Sequence, residues 1–239
     1  MKPYNEQQTK KEQVEQMFDN IASTYDRLNH ILSFNIDRLW RRRVVRLVRR
    51  SGAHRIMDMA TGTGDLAIAM ARSIEGAHIL GVDLSEEMLA VARVKVKRAA
   101  LEERIELCKG DAEALTIVED GTMDAATVAF GVRNFEHLER GLREFWRTLR
   151  PGGKLVVLEF SIPRNAVVRS LYSFYSHHIM PLLGALISKD RAAYTYLPDS
   201  IEEFPSPERV SDMLYGVGFT TVRRYSLSMG IAHIYEATK

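Results

Sequence analysis

Cysteine is nearly absent: Cys108 is the one thiol among 239 residues. That excludes an internal disulfide framework and any cysteine-rich zinc or iron–sulfur site. Long apolar runs are also missing. The most suggestive, Ile179–Ile187, falls far short of the ~20 residues a membrane-spanning helix requires. The opening MKPYNEQQTKKEQ lacks the apolar core of a secretory signal. Neither sign of charge is in excess: 33 Lys and Arg face 31 acids, a net of +2. No global field recruits nucleic acid. With 7 Pro and 15 Gly, the chain is neither fibrous nor of low complexity. These absences leave a globular protein of one domain with additions, or at most two small ones, expected in a reducing, cytoplasmic compartment.

What is present falls into two patterns. Val14, Met17, Phe18 and Ile21 have helical spacing and predict a helix over 13–27 behind a loose tail. A polar break at Asn29–His30 and Ser33–Asn35 precedes a second helix over about 37–50, with Asp37 at its start. From residue 55, strands and helices alternate. Strands are predicted over 55–59, 78–83, 105–108, 123–130 and 154–160, with helices over 64–73, 86–99 and 138–149. Pro151-Gly152-Gly153 forms the turn before the fifth strand. The segment 161–206 breaks the alternation. It holds a helix over 166–178, the apolar stretch, and Tyr194 and Tyr196. A helix over 208–216 and strands 219–227 and 230–237, joined at Met229-Gly230, close the chain. The fold class expected is α/β: a Rossmann-like, seven-stranded, mostly parallel sheet with one antiparallel strand, N-terminal helices and an insertion after strand five. Residues 1–50 form a tail and helical cap, 51–239 the main domain, and 161–206 an insertion covering the C-terminal edge of the sheet.

The sharpest local signal is Asp58-Met59-Ala60-Thr61-Gly62-Thr63-Gly64-Asp65, directly after strand one. Gly62 and Gly64 permit a tight turn and close approach to a ligand, and the next helix offers unpaired amides. The dinucleotide pattern G-x-G-x-x-G and the Gly-Lys-Ser/Thr of a phosphate loop are both missing. Carboxylates at Asp58 and Asp65 repel a pyrophosphate and suit a cation. S-adenosylmethionine carries a sulfonium and an ammonium, with no phosphate. Asp83, ending strand two, suits ribose hydroxyls, and Asp111, after strand three, lies where an adenine amino group would fall.

These residues resemble the class I S-adenosylmethionine-dependent methyltransferases. More narrowly, the chain is similar to the quinone-biosynthesis C-methyltransferases of the MenG/UbiE family over residues 14–239. Tyr25-Asp26-Arg27-Leu28-Asn29 through Leu39-Trp40 resembles that family's N-terminal signature. Phe130-Gly131-Val132-Arg133-Asn134-Phe135 resembles its most specific internal motif, and Leu149–Gly153 running to Leu158–Ser161 its second signature. Tyr194-x-Tyr196-Leu197 fits its insertion. The resemblance places cofactor contacts on Thr63, Asp83, Asp111 and Ala112. Asn35 and Asp37 stand where the family has Gly and His, Ala129 where it has Ser, and Tyr235 where it has His. The activity implied is methyl transfer from S-adenosylmethionine to a ring carbon of demethylmenaquinol. A dual ubiquinone-pathway role, or another phenolic substrate, is the alternative. Members of the class often associate as dimers, which makes a homodimer an expectation; the sequence holds no metal-ligand cluster, and methyl transfer needs no metal.

Carbon methylation needs a phenolate whose charge reaches the ring carbon, held in line with the methyl donor. Arg133 is the first candidate to stabilise that oxyanion, against a reading as a loop salt bridge. Asn134 orients a ring oxygen or the methionine portion, or caps a turn. His178, beside His177, has a suitable intrinsic pKa for a proton acceptor, against a reading as a surface hydrogen bond. Tyr25, Tyr194 and Tyr196 line the acceptor pocket or pack as core. The arginine-rich helix, with Arg41–Arg43 at its centre, is either a docked helix with a solvated face or a surface that meets anionic lipid, where a prenylated quinol resides.

Overall fold

The computed structural model describes residues 2–4, 7–180 and 191–239, without the side chains of residues 191, 192 and 194. The expected apolar stretch beyond Met180 and the Tyr194 side chain therefore lie outside the described residues. Seven strands form one sheet: β1 (Arg55–Met59), β2 (His78–Asp83), β3 (Ile105–Lys109), β4 (Met123–Ala129), β5 (Leu149–Phe160), β6 (Thr221–Leu227) and β7 (Ala232–Thr238), in the order β3-β2-β1-β4-β5-β7-β6. Only β7 runs antiparallel to its neighbours, β5 and β6. β1 lies between β2 and β4, both parallel to it. Chain connections leave the two sides of β1 in opposite directions, and this opens a crevice at the carboxyl ends of the strands.

Helices cover both faces. α1 (Lys10–Ile21), α2 (Tyr25–Leu32), α3 (Ile36–Arg50), α4 (Asp65–Ser73) and α5 (Glu86–Arg98) precede β3, and α6 (Leu138–Thr148) precedes β5. The insertion contributes α7 (Ala166–Phe174), which continues as a π-helical stretch over Tyr175–Ile179, and α8 (Arg191–Glu203). α9 (Pro207–Val217) leads into β6. On one face, Trp40, Val44 and Val48 of α3 pack with Leu66 and Met70 of α4 against Ile56, Ala125 and Val156. On the other, Leu142, Phe145 and Leu214 pack against Met57, Val128 and Tyr235. Full burial of side chains such as Val44, Phe145 and Leu214 is worth roughly 1.5–3 kcal/mol each. A third cluster joins Val14, Met17, Ile21 and Leu28 of α1 and α2 to Met88, Met180 and Tyr196. It roofs the crevice.

Three expectations are corrected, and the segment after the apolar stretch gains a structure. α1 starts at Lys10, because Thr9 and Glu12 form a capping box at its N-terminus. It ends at Ile21, so the predicted helix 13–27 is two helices. Pro151–Gly153 lie inside β5 rather than in a turn before it. The register jumps from Met123–Leu149 to Ala125–Lys154, and this irregularity absorbs the extra residues. Tyr196 stands on a helix, α8, which retains Pro198 within it.

Candidate active site

The loop after β1 is built around a buried carboxylate. Asp58 lies opposite Gly81 on β2 and Thr127 on β4. Its oxygens accept from Thr61 Oγ1 at 2.7 Å and Thr127 Oγ1 at 2.6 Å. Burial pushes its pKa up to about 6, against the pull of those two hydroxyls. Gly81 leaves room for this arrangement: a Cβ there would stand 2.7 Å from Leu107 and 3.1 Å from Thr61 Oγ1. The chain then turns through Gly62 and Gly64, both at positive φ. The Gly62 amide donates to Asp83 Oδ2 at 2.7 Å, and the Ser85 amide to Asp83 Oδ1 at 2.9 Å. Burial pushes Asp83 up to about 6 as well, although those amides favour its charge.

These contacts sort the sequence candidates. Gly62, Asp83, Asp111 and Ala112 line a cleft at the strand ends, with Phe18, Tyr25, Leu84, Met88 and Phe135. Asp58, Thr61, Thr63 and Gly64 do not line it; their contacts fix the shape of the loop. Thr63 Oγ1 donates to Asp26 Oδ1 at 2.5 Å, and Lys95 ties Asp26 to Asp65, so the loop is bolted to α2 and α5. Gly64 fits closely over Ala92. Asp111 accepts from Lys11 at 3.0 Å, which brings α1 across the cleft.

The cleft opens into a larger chamber of about 380 Å³, and Phe18, Tyr25, Phe130 and Asn134 belong to both. Its floor is aromatic. Phe130 and Phe160 stack at 4.5 Å, and Trp40 stands about 6 Å from each: 6.1 Å and 6.0 Å. Arg133, on the turn after β4, lines the chamber. Its Nη1 donates to Glu159 Oε1 at 2.8 Å and to the Phe130 carbonyl at 2.5 Å, and its Nε to Ser200 at 3.3 Å. Arg133 is therefore salt-bridged, as one expectation had it, and it also lines the chamber, where the other expectation needs it. Burial works against its charge, but Glu159, Tyr25 and Tyr196 outweigh burial and raise its pKa above the ordinary value. Among the described residues, Asn134 Oδ1 and the Tyr196 hydroxyl are buried without a partner. Burial pushes the Tyr196 phenol up to about 12.

His178 is not brought to this site. It is exposed, stacks on Phe174 at 5.0 Å, and turns Nδ1 toward the Phe174 carbonyl. Arg41 does the reverse of what was expected for a surface residue. It turns inward, pairs with Asp37, and lies 5.5 Å over Phe130. Arg43 packs over Tyr225 at 4.9 Å. Glu159, Ser200 and Arg41 were not among the sequence candidates. For Glu159 a signal existed, a lone acid ending the apolar run Leu155–Leu158. Tyr25 and Asp37 join the site through the chamber wall.

The polar groups at the cleft suit the cofactor that the sequence points to. Asp83 and Asp111 present acceptors, and the unpartnered Asn134 Oδ1 is another at the junction. Such a set accommodates hydroxyls, an amino group and a cationic centre, where a dinucleotide's phosphates would meet repulsion. Among the described residues, no group of three or more His, Cys, Asp or Glu side chains is placed to hold a metal ion.

Comparison with known proteins adds to this geometry. The profile of the ubiE/COQ5 methyltransferase family matches residues 6–239. The chain is 45% identical over 239 residues to a demethylmenaquinone methyltransferase of Bacteroides fragilis, covering 100% of this chain and 97% of that protein. It is 47% identical over 223 residues to a ubiquinone/menaquinone biosynthesis C-methyltransferase of Syntrophotalea carbinolica, covering 93% and 92%. Among solved structures, one described as an S-adenosyl-L-methionine-dependent methyltransferase from Methanococcus maripaludis superposes with a TM-score of 0.61 at 20% identity, covering 98% and 95% of the two chains. That last likeness concerns the fold.

Proposed function

The chain belongs to the ubiE/COQ5 methyltransferase family, and on that premise we propose that it methylates a ring carbon of demethylmenaquinol to give menaquinol. It is an S-adenosyl-L-methionine-dependent C-methyltransferase. The observation that carries the substrate reading is the chamber: an aromatic floor and apolar walls, continuous with the cofactor cleft at Asn134, with the buried guanidinium of Arg133 inside. A prenylated naphthoquinol has an aromatic ring, an apolar tail and hydroxyls that become anionic, and it matches each part.

When bound, the cofactor supplies an electrophilic methyl on its sulfonium. Asp83 accepts from ribose hydroxyls, and its bonds to the Gly62 and Ser85 amides fix the direction of its oxygens. Asn134 Oδ1 accepts a hydrogen bond at the junction and so sets the approach of ring to methyl. Arg133 spends Nη1 and Nε within the protein and keeps Nη2 for the phenolate. Glu159 holds that fork in place, so little reorganisation accompanies charge development. The helices of residues 1–50, with α7 and α8 of the insertion, act as the cover that excludes water from the ring.

The test is transfer of labelled methyl to chemically reduced demethylmenaquinol in detergent, with the oxidised quinone in parallel. Label in the reduced quinone alone is expected; no label with confirmed cofactor binding overturns the substrate. A benzoquinol precursor in the same assay tests the second reading, which the 47% identical relative favours: a dual role in ubiquinone and menaquinone synthesis.

Access to a prenylated substrate requires contact with a bilayer. Among the described residues, no helix is long and apolar enough to cross one. We place the contact at the chamber mouth, where Phe34, Leu171 and Met229 line the cavity and are exposed. Arg38, Arg42 and Arg46 form the solvent face of adjacent α3. Each basic residue near an anionic surface contributes about 1 kcal/mol. The double substitution Arg38→Gln, Arg42→Gln is therefore expected to weaken binding to anionic vesicles roughly 30-fold, measured by cosedimentation. Equal binding to neutral and anionic vesicles refutes the contact.

A further inference from the structure

Carbon methylation of a quinol forms one carbon–carbon bond and breaks the sulfonium carbon–sulfur bond, whose electron pair stays on sulfur. The ring exchanges one hydrogen for the methyl and keeps both hydroxyls, so one proton must leave. The chamber has few places to put it. Among the described residues that line it, Asp37 is the one carboxylate and there is no histidine or lysine. Its guanidiniums, Arg41 and Arg133, stay protonated. Its phenols are poor acceptors, because a phenol carries its own proton and burial raises the pKa of Tyr25, Tyr172, Tyr175 and Tyr196.

Asp37 is also the inner end of a chain of proton-bearing groups. Its side chain is 4% exposed. Oδ1 accepts from Ser33 Oγ at 2.6 Å and retains a lone pair for a substrate hydroxyl. Oδ2 meets His30 Nδ1 at 3.0 Å and the Arg41 guanidinium. The far nitrogen of His30, Nε2, lies 3.5 Å from Asp65 Oδ2. Exposure rises along this line, from 4% at Asp37 to 18% at His30 and 28% at Asp65.

We propose that Asp37 takes up the proton released by methylation, and that His30 passes it to Asp65 at the surface. This rests on the quinol reading of the site. Asp37 is ready to accept: burial raises its pKa, but Ser33, Arg41 and His30 together bring it below the ordinary carboxylate value. The imidazole between two carboxylates is the group best placed to hold a transient charge. The 3.5 Å from His30 Nε2 to Asp65 Oδ2 is longer than an ordinary hydrogen bond, so transfer there requires the two groups to approach. The charged neighbours of the line are Arg41 on α3, against Asp37, and Lys95 on α5, which joins Asp65 to Asp26 of α2.

The experiment compares Asp37→Asn, His30→Gln and the exchange His30→Asp/Asp37→His with the wild type, in methyl transfer to demethylmenaquinol across pH. Asp37→Asn is expected to lower kcat about 100-fold, at the low end of general acid–base contributions. KM for quinol and calorimetric affinity for S-adenosylmethionine should stay within about threefold, a split that a structural role would not produce. His30→Gln should fold, since its ring is partly exposed, and should displace the acid limb of the kcat–pH profile. The exchange variant rebuilds a carboxylate–imidazole pair and should recover at least tenfold over Asp37→Asn. The relay is overturned if folded Asp37→Asn keeps kcat within about threefold, or if His30→Gln leaves the pH profile unmoved. A wild type inert toward demethylmenaquinol overturns the substrate reading along with the relay; an active wild type with an indifferent Asp37 overturns the relay alone.

Discussion

Substituting Arg133 by Met, in combination with Glu159→Gln, is expected to lower kcat about 10³-fold while leaving the fold intact. The combination matters because Arg133 and Glu159 are both buried, with side chains 7% and 0% exposed and 2.8 Å between them. Arg133→Met alone strands a carboxylate with no water to solvate it, at a cost of about 3–5 kcal/mol. Lost activity would then be confounded with lost structure. Neutralising Glu159 removes the stranded charge, and its amide still accepts from the Arg133 backbone amide, which reaches Oε2 at 3.3 Å in the native protein. Thermal denaturation should show the double variant recovering most of the stability that Arg133→Met loses. Methyl transfer should not recover, because among the described residues of the chamber wall the remaining cation, Arg41, is committed to Asp37. Arg133→Lys should fall between, since an ammonium supplies charge without the planar fork that satisfies Glu159, Phe130 and Ser200 together. A stable double variant with kcat within tenfold of wild type would assign Arg133 to structure.

The layout of the sheet was legible because its strands are short apolar runs bounded by turn residues, and β1 and β2 fall where the pattern places them. The glycine loop was legible from composition: acids without a third glycine or a lysine exclude phosphates. What composition could not give is direction. Asp58 and Asp83 both end strands. The sheet register sets Asp58 between two hydroxyl donors and leaves Asp83 at the cleft. His178 illustrates the same limit on a helix. The π-helical stretch Tyr175–Ile179 alters the helical phase, so spacing from α7 does not tell which side faces the chamber. The Arg133–Glu159 pair spans 26 residues and forms only when β4 and β5 align. His30 and Asp37 meet because Phe34 and Asn35 adopt positive φ between α2 and α3 and fold one helix back beside the other. The polar break at Ser33–Asn35 marks a turn, but Phe34 is no glycine, so the local sequence does not announce the two successive positive φ values that bring His30 to Asp37.

Acidification from about pH 7 to pH 5 should weaken cofactor binding while it strengthens one part of the empty fold, and Asp83 is the source of both effects. Its pKa in the folded chain is about 6, whereas an unfolded aspartate titrates near 3.9. Between those values the native state binds a proton that the unfolded chain does not. The contribution of Asp83 to stability therefore falls as pH rises from about 4 to about 6 and is least above that. Asp58, with the same direction of shift, adds to it. His233 opposes it, since burial lowers its pKa and its neutral form is lost on acidification. The difference between wild type and Asp83→Asn cancels that opposing contribution: wild type should gain stability relative to the neutral variant as pH falls. Binding runs the other way. In the proposed site ribose hydroxyls would donate to the carboxylate, and each pH unit below the pKa removes about tenfold of the ionised form. Calorimetric affinity for S-adenosylmethionine, measured without quinol, should therefore decline below about pH 6 and be nearly flat above it. Asp83→Ala removes two charge-assisted hydrogen bonds of about 1.5–3 kcal/mol each, so affinity at neutral pH should drop roughly 10³-fold. Asp83→Asn should resemble the acidified wild type and show much less of its pH dependence. An affinity that ignores pH, or an Asp83→Ala variant that binds within tenfold of wild type, would remove Asp83 from the cofactor site and leave it as the strut that holds Gly62 and Ser85.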